Sequence, residues 1–114
     1  VLNSIIHPLV KQEIINRINN HKIAGDVDYC FVEAALLIED HYDIFMDEIW
    51  YIYVSEDVRR IRLSASRGYS DEKISNIFKS QLSEAEFRKY ADKVIDNGSD
   101  IEKTRAQLEI MLGI

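Results

Sequence analysis

The feature that most constrains the fold is segment 48–55, EIWYIYVS. It contains aromatic and β-branched residues almost without interruption, which is typical of a buried β-strand. Ser55 ends the run and is a good N-cap for a helix. Glu56 and Asp57 follow it, at positions where acidic side chains interact favourably with the helix dipole. The segment therefore predicts a strand that leads directly into an α-helix.

Two further segments have the character of strands in a parallel sheet. The run YCFVEAALLIE (29–39) is short and nearly all apolar, which suits a strand buried on both faces. Val94 and Ile95 form another short strand. Because helices are predicted between the strands, we expect an α/β fold with a parallel sheet of about three strands. Such a small sheet leaves two edges to protect, so we expect part of a larger fold rather than a complete one.

Apolar spacing and capping residues predict the helices. Residues 2–18 have helical apolar spacing, with a break or restart expected near His7 because Pro8 follows it. The helix after segment 48–55 is expected to pack through Val58, Ile61 and Ala65 and to end at Gly68. The last helix is expected to pack through Ile101, Leu108 and Leu112. The predicted N-caps, in chain order, are Ser55, Ser70, Ser83 and Ser99.

Composition excludes several classes of function. The chain has 114 residues, enough for one domain, and its net charge of −6 argues against bulk nucleic-acid binding. No apolar run approaches the ~20 residues of a membrane helix, and the first residues lack the pattern of a signal peptide. The single cysteine, Cys30, lies in an apolar run and is expected to be a buried free thiol. We therefore expect a cytoplasmic protein without a membrane partner.

Several catalytic and metal-binding motifs are absent from the sequence. One cysteine and three scattered histidines cannot supply a zinc site, so no metal ligand is predicted. There is no G-x-S-x-G and no G-x-G-x-x-G. There is also no G-x-x-x-x-G-K-[ST], the loop that holds the phosphates in P-loop enzymes. The four glycines lie too far apart to form that loop: Gly25, Gly68, Gly98 and Gly113.

The order of several short segments resembles the second half of the dephospho-coenzyme A kinase family. These segments are IIHPLV, EAALLIE, YIYVS, SRGYS, KSQLS and ADKVIDNGS. The resemblance implies a P-loop NTPase fold similar to that of nucleoside monophosphate kinases. It also implies transfer of the γ-phosphate of ATP, with Mg²⁺, to the 3′-hydroxyl of dephospho-coenzyme A, the last step of coenzyme A synthesis. In the family the phosphate loop lies in the N-terminal half, so we expect a C-terminal part that is inactive alone.

The resemblance also implies nucleotide contacts. Arg62 stands where the family has the first of two spaced arginines and would pack beside the nucleotide. The second, which binds phosphates, falls on Ser66 here, and Arg67 comes one residue later. Arg62 and Arg67 are therefore the catalytic candidates, with Arg67 correctly placed only if the helix ends before it. Asn97 and Gly98 match the family turn beside the adenine base, although ordinary turn chemistry also explains an Asn-Gly pair.

The other residues considered are two further arginines close to Arg62 and a group on the side of the acceptor substrate. Arg59 and Arg60 are interpreted as solvated helix surface. His7 matches the family's His-Pro pair on the side of the acceptor substrate, and a purely structural role at a helix start is the alternative. The resemblance implies that the acceptor pocket is walled by Leu36 and Leu37 with Glu39 at its edge. Core packing is the alternative for both leucines.

Two other hypotheses remain open from the sequence. The first is a non-catalytic α/β binding or assembly module that kept the kinase fold. The missing phosphate loop and the departures from the family pattern at Ala35 and Ser66 support it. The second is an all-helical interaction domain, with 29–38 and 48–54 as buried helices. Under the kinase hypothesis the partners are dephospho-coenzyme A and ATP. We also expect self-association, because an incomplete sheet exposes an apolar edge.

Overall fold

A computed structural model describes residues 2–34 and 36–114 of the chain. The described residues form two compact units, one up to Asp47 and one from Glu48 onward. In chain order the elements are α1 (Leu2–Ala24), a short 3-10 helix (Tyr42–Phe45), β1 (Trp50–Tyr53), α2 (Glu56–Arg67), α3 (Asp71–Ser80), α4 (Glu84–Tyr90), β2 (Lys93–Asp96) and α5 (Ile101–Leu112). The predicted α/β class is confirmed.

The second unit is built on a parallel pair of strands. Trp50 of β1 lies opposite Lys93 of β2, and Tyr53 lies opposite Asp96. The backbone N–H of Asn97 extends the pairing by donating to the carbonyl of Tyr53 at 2.8 Å. Parallel neighbours require a long crossover, which α2, α3 and α4 provide. Both strands of the pair, and their parallel direction, agree with the sequence prediction.

Apolar and aromatic contacts hold the second unit together. Ile74 of α3 and Ile95 of β2 are almost completely buried. On one side of the sheet, the ring of Tyr51 stacks on Phe87 of α4 with centroids 5.2 Å apart. The guanidinium of Arg88 lies 4.9 Å from the ring centroid of Tyr53 on the same side. These contacts position α4 against β1.

Most of the predicted helix ends are confirmed. Three predicted N-caps accept the backbone N–H of the residue three positions later: Ser55, Ser70 and Ser83. Helix α2 ends at Gly68, whose φ of 64° is the left-handed conformation that glycine adopts without steric cost. The last helix differs from the prediction, because Asp100 and not Ser99 is its N-cap. A carboxylate accepts the N–H of the first turn as well as a hydroxyl does.

The predicted strand at 29–39 is wrong. Residues 29–34 have no regular structure, and 36–41 form turns. Phe31 is 67% exposed, and Cys30 is exposed rather than buried. A strand buried on both faces needs paired neighbours, and in the described residues β1 pairs with β2 alone. The described sheet therefore has two strands rather than about three, and β1 also excludes the all-helical hypothesis.

The break predicted near His7 is also wrong. Helix α1 runs from Leu2 to Ala24 with Pro8 inside it. A proline removes the hydrogen bond from its own nitrogen to the carbonyl four residues earlier, and its ring crowds that same carbonyl, so its effect is confined to the turn that precedes it. Pro8 lies in the second turn of α1, so the later hydrogen bonds of the helix are unaffected. The helix therefore continues through His21 and Lys22 to Ala24.

A tight turn follows the irregular segment of the first unit. The N–H of Tyr42 donates to the carbonyl of Leu37 at 2.9 Å, and the N–H of His41 donates to the carbonyl of Ile38 at 3.0 Å. This is the hydrogen-bond pattern of a Schellman motif. His41 has a φ of 60° at the left-handed position, where glycine is usual. Ile38 and Tyr42 are the buried apolar residues of the turn.

Two of the predicted packing stripes are only partly covered. Ile61 of α2 is 68% exposed, and Ala65 is exposed beside it, while Val58 is half-buried. Ile101 of α5 is exposed to the same extent, whereas Leu108 is half-buried. Two strands of four residues each cover only part of a helix face. Across residues 2–34 and 36–114, no helix combines the length and apolar character needed to cross a membrane.

Candidate functional site

The loop after β2 lies beside Arg62 of α2. The Nη2 atom of Arg62 donates to the backbone carbonyl of Ser99 at 3.4 Å. Asn97 and Gly98 are the residues immediately before Ser99 in this loop. The structure thus brings Arg62 to a loop whose candidates, Asn97 and Gly98, lie far from it in the sequence.

The conformation of this loop depends on a short hydrogen bond within it. The backbone N–H of Gly98 donates to Oδ1 of Asp96 at 2.9 Å. A side chain at position 98 would place its Cβ 3.0 Å from that same oxygen. Glycine therefore fits this close approach, and a larger residue would displace the carboxylate.

Two side chains of α5 hold the loop, and the sequence interpretation missed both. The hydroxyl of Thr104 donates to Oδ1 of Asn97 at 2.8 Å. Gln107 bonds both backbone groups of Asp96, since its Oε1 accepts the N–H at 2.9 Å and its Nε2 donates to the carbonyl at 2.8 Å. Thr104 and Gln107 are three residues apart, so they lie on one face of α5. That spacing was visible in the sequence, but their partners were not.

Arg59 and Arg60 connect α2 to α3. Arg59 Nη1 donates to Oε1 of Gln81 at 3.3 Å, and its guanidinium lies 4.2 Å from the ring centroid of Phe78. Arg60 Nη2 donates to the hydroxyl of Ser75 at 3.0 Å and lies 5.1 Å from the same ring. Both residues are half-buried. Their interpretation as solvated surface is therefore wrong, because their guanidinium groups contact the ring of Phe78 and donate hydrogen bonds to Ser75 of α3 and to Gln81, its C-cap.

Arg67 does not join Arg62. Arg67 belongs to the last turn of α2, so the helix does not end before it. It is five positions after Arg62, and at about 100° per residue the two side chains point about 140° apart around the helix axis. A hydrogen bond from Arg67 lowers the pKa of the Tyr69 phenol, and the charge of Lys73 lowers it further. Ser66, at the family's arginine position, donates its hydroxyl to the carbonyl of Arg62 at 2.6 Å.

In the first unit, two basic side chains of α1 contact Asp40. His7 Nδ1 lies 3.5 Å from Oδ2 of Asp40. Lys11 Nζ donates to the backbone carbonyl of Asp40 at 2.6 Å and also lies 5.6 Å from the ring centroid of Tyr42. His7 and Lys11 are four residues apart and share a helix face. The sequence interpretation singled out His7 and missed Lys11.

The turn that contains Asp40 also carries the other acceptor-side candidates. Leu36 is 41% exposed, Glu39 is exposed and Leu37 is half-buried. Core packing, the alternative considered for the leucines, therefore does not describe Leu36. The structure brings His7 to the turn that contains all three residues. Ala35, which departs from the family pattern, lies outside the described residues.

Neither cluster has the composition of a metal site. In the described ranges, no group of three or more His, Cys, Asp and Glu side chains is arranged to hold a metal ion. The chemistry that both clusters offer is hydrogen-bond donation from arginine, histidine and amide groups, which suits phosphates and a heterocyclic base.

Comparisons with known proteins identify relatives over nearly the whole chain. The family model described as CoaE, dephospho-CoA kinase, matches residues 1–103. A dephospho-CoA kinase of Carboxydothermus hydrogenoformans is 41% identical over 113 residues, which cover 98% of this chain and 54% of the relative. One from Oceanobacillus iheyensis is 32% identical and covers 97% of this chain and 55% of the relative. The chain thus spans about half the length of the curated relatives it matches.

A solved structure has the same fold. The crystal structure of TT1252 from Thermus thermophilus superposes with a TM-score of 0.79 at 23% sequence identity. The match covers 98% of this chain and 56% of that protein. At this level of identity the likeness concerns the fold, and it agrees with the α/β architecture described above.

Proposed function

Because the chain belongs to the dephospho-CoA kinase family, we propose that it supplies acceptor-side and nucleotide-side contacts for phosphoryl transfer from ATP to dephospho-coenzyme A. In this reaction the 3′-oxygen of the acceptor forms a bond to the γ-phosphorus, the bond to ADP breaks, and the hydroxyl proton leaves. The observation that carries the proposal is the contact between Arg62 and the Ser99 carbonyl. It places a guanidinium beside the loop that contains Asn97 and Gly98.

Arg62 is the proposed contact to the nucleotide. Its side chain is exposed, and the 3.4 Å bond to Ser99 engages one N–H of a group that has five. A planar guanidinium binds a phosphate through two parallel hydrogen bonds. Arg67 lies about 140° from Arg62 around α2 and contacts the Tyr69 hydroxyl, so we do not propose it as a second phosphate contact beside Arg62. Asn97 and the backbone at Gly98 are proposed to bind the base.

The turn 36–40 with His7 is the proposed acceptor side. His7 Nδ1 faces Asp40, which leaves Nε2 of the ring to bind a phosphate oxygen of the acceptor. The exposed face of Leu36, with Leu37 next to it, is proposed to contact the apolar part of the acceptor. Glu39, exposed at the same turn, is proposed to lie at the edge of that contact.

ATP with Mg²⁺ is the proposed phosphoryl donor, and the cytoplasm is the proposed location. Among the described residues, no group of three or more candidate ligands is arranged to hold a metal ion by itself. The sequence contains no G-x-x-x-x-G-K-[ST]. We therefore propose that the 114 residues alone do not catalyse the transfer, since that loop binds the phosphates in P-loop enzymes.

The proposal is tested with a chimaera. In the Carboxydothermus relative, the segment that matches this chain is replaced by the chain, and formation of coenzyme A from ATP and dephospho-coenzyme A is measured. We expect an active chimaera and no product from the chain alone. Arg62→Ala in the chimaera should lower kcat/KM by about 100-fold, as loss of a charged group at a transition state does. The exposed Arg105→Ala, on α5, is the matched control and should retain activity.

Two outcomes contradict the proposal. Product formed by the 114 residues alone would refute their predicted inactivity. A chimaera that folds, as judged by circular dichroism, but forms no product would refute the catalytic role and favour the non-catalytic binding module.

A further inference from the structure

We propose that Thr104 is a positioning residue for the nucleotide site and fixes the carboxamide of Asn97 so that its NH₂ group faces the base. The inference rests on the proposed function, because it takes Asn97 to be the residue that contacts the base. It adds the direction of the hydrogen bond in that contact: the NH₂ group of Asn97 is the donor, and the base is the acceptor.

The hydrogen bond between Thr104 and Asn97 determines this orientation. Their Oγ1 and Oδ1 atoms are 2.8 Å apart, and both residues are half-buried. A threonine hydroxyl has one proton, and the carbonyl of Asp100, 3.4 Å away, is the competing acceptor. The shorter distance assigns the proton to Asn97. With its oxygen engaged by Thr104, Asn97 has the two N–H bonds of its amide left for a ligand.

The backbone on both sides of Asn97 is already held. Gln107 bonds the N–H and the carbonyl of Asp96, and Arg62 bonds the carbonyl of Ser99. The freedom that remains at this position is rotation of the Asn97 side chain. Thr104 therefore restricts the side-chain rotation that decides which atoms of Asn97 a base meets.

The orientation has a consequence for recognition. Adenine presents ring nitrogens that accept hydrogen bonds and an exocyclic amine that donates them. A carboxamide that offers NH₂ binds a ring nitrogen, whereas the flipped carboxamide offers its oxygen to the amine. The proposed ligand group is thus an acceptor nitrogen of the purine base.

The test compares three variants of the chain by NMR titration with ATP and with inorganic tripolyphosphate. Thr104→Val keeps the side-chain shape and removes the hydroxyl, Thr104→Ser keeps the hydroxyl, and Asn97→Ala removes the base contact. We expect Thr104→Val to weaken ATP binding about five-fold, the effect of one hydrogen bond. Thr104→Ser should bind as the wild type does. Tripolyphosphate has no base, so its affinity should be the same in all three variants.

A second measurement does not depend on a ligand. The order parameter of the Asn97 side-chain NH₂ group, from ¹⁵N relaxation, should fall in Thr104→Val and stay at the wild-type value in Thr104→Ser. Circular dichroism shows whether the variants keep their helices. An unchanged order parameter in a folded Thr104→Val would overturn the proposal.

The titration separates this inference from the proposed function. If Asn97→Ala weakens ATP binding and Thr104→Val does not, the positioning role is wrong and the base contact stands. If the wild type binds ATP no more tightly than tripolyphosphate, or Asn97→Ala changes nothing, the base contact itself is wrong and the inference is refuted with it. A loss of tripolyphosphate affinity in Thr104→Val would also refute it, because the effect would not act through the base.

Discussion

Lys11 Nζ donates a 2.6 Å hydrogen bond to the backbone carbonyl of Asp40, 29 residues later in the chain. The same ammonium group lies within 6 Å of the ring centroids of Tyr42 and Phe45. A single flexible side chain thus joins α1 to the turn that contains the acceptor-side candidates. His7, one helical turn before Lys11, approaches the carboxylate of Asp40.

Replacing Lys11 by methionine should destabilise the chain by about 1–2 kcal/mol. The methionine keeps the apolar stem but loses a charged hydrogen bond and a cation–π contact. Urea unfolding followed by circular dichroism measures the change. Lys22→Met, at an exposed position of the same helix, is the control and should be close to neutral. Equal effects of the two variants would show that the contact with Asp40 contributes nothing.

Replacing His41 by glycine should stabilise the chain by about 1 kcal/mol. A side chain in the left-handed conformation is close to the following carbonyl, and glycine has no such penalty. Lys22→Gly, within the helical part of α1, should instead destabilise by up to about 1 kcal/mol. Both are measured by thermal unfolding. A lower melting temperature for His41→Gly would mean that the imidazole makes a contact worth more than the strain.

Glu48 should give an acid transition that is visible in tryptophan fluorescence. Trp50 is the single tryptophan, and its Nε1–H donates to Glu48 at 2.7 Å. This bond and then the Lys93 ammonium lower the pKa of Glu48. Since the folded-state pKa is lowered, the contact contributes its full stability above the ordinary pKa of a glutamate and loses it as the pH falls through the lowered pKa. A pH titration of Glu48→Gln should lack this step, and its persistence there would assign it to another group.

Gln107→Leu should destabilise the second unit by about 1 kcal/mol. The leucine leaves the N–H and carbonyl of Asp96 to water, because the amide that bonded both is gone. Hydrogen exchange at the Asp96 amide should accelerate at the same time. Glu109→Leu, exposed on α5, is the control for the added apolar side chain. If exchange at Asp96 is the same in both variants, the side chain of Gln107 does not protect this strand.

We also predict that the chain self-associates as its concentration rises. Ile52 of β1 is 53% exposed and Ile61 of α2 is 68% exposed, so the sheet and helix both present apolar surface to water. Sedimentation velocity over a wide concentration range measures this. Ile61→Lys should weaken the association, whereas Ser64→Lys, an exposed change on α2 with the same added charge, should weaken it less. A monomer at every concentration would contradict the prediction.

Local chemistry explains which elements were predictable. The strand at Trp50–Tyr53 and the caps at Ser55, Ser70 and Ser83 depend on neighbouring residues, and all four are found in the structure. The run at 29–39 is the opposite case. Its apolar composition alone does not distinguish a strand from a turn, because a strand forms only where another strand pairs with its backbone.

In the candidate site, too, some features were predictable from the sequence and others only from the structure. From the sequence came Arg62, Asn97 and Gly98, whose positions matched a family pattern. Their proximity, and the contacts of Thr104 and Gln107, came from the tertiary structure.

The sequence by itself determined the α/β class, the helix caps at Ser55, Ser70 and Ser83, and the family, since each depends on the order and spacing of residues along the chain. The tertiary structure decided that Lys11 bonds Asp40 and that Arg59 and Arg60 join α2 to α3. A hydrogen bond of about 3 Å requires two groups to meet in space. Groups that are separated by many residues meet only where the packing of helices and strands brings them together.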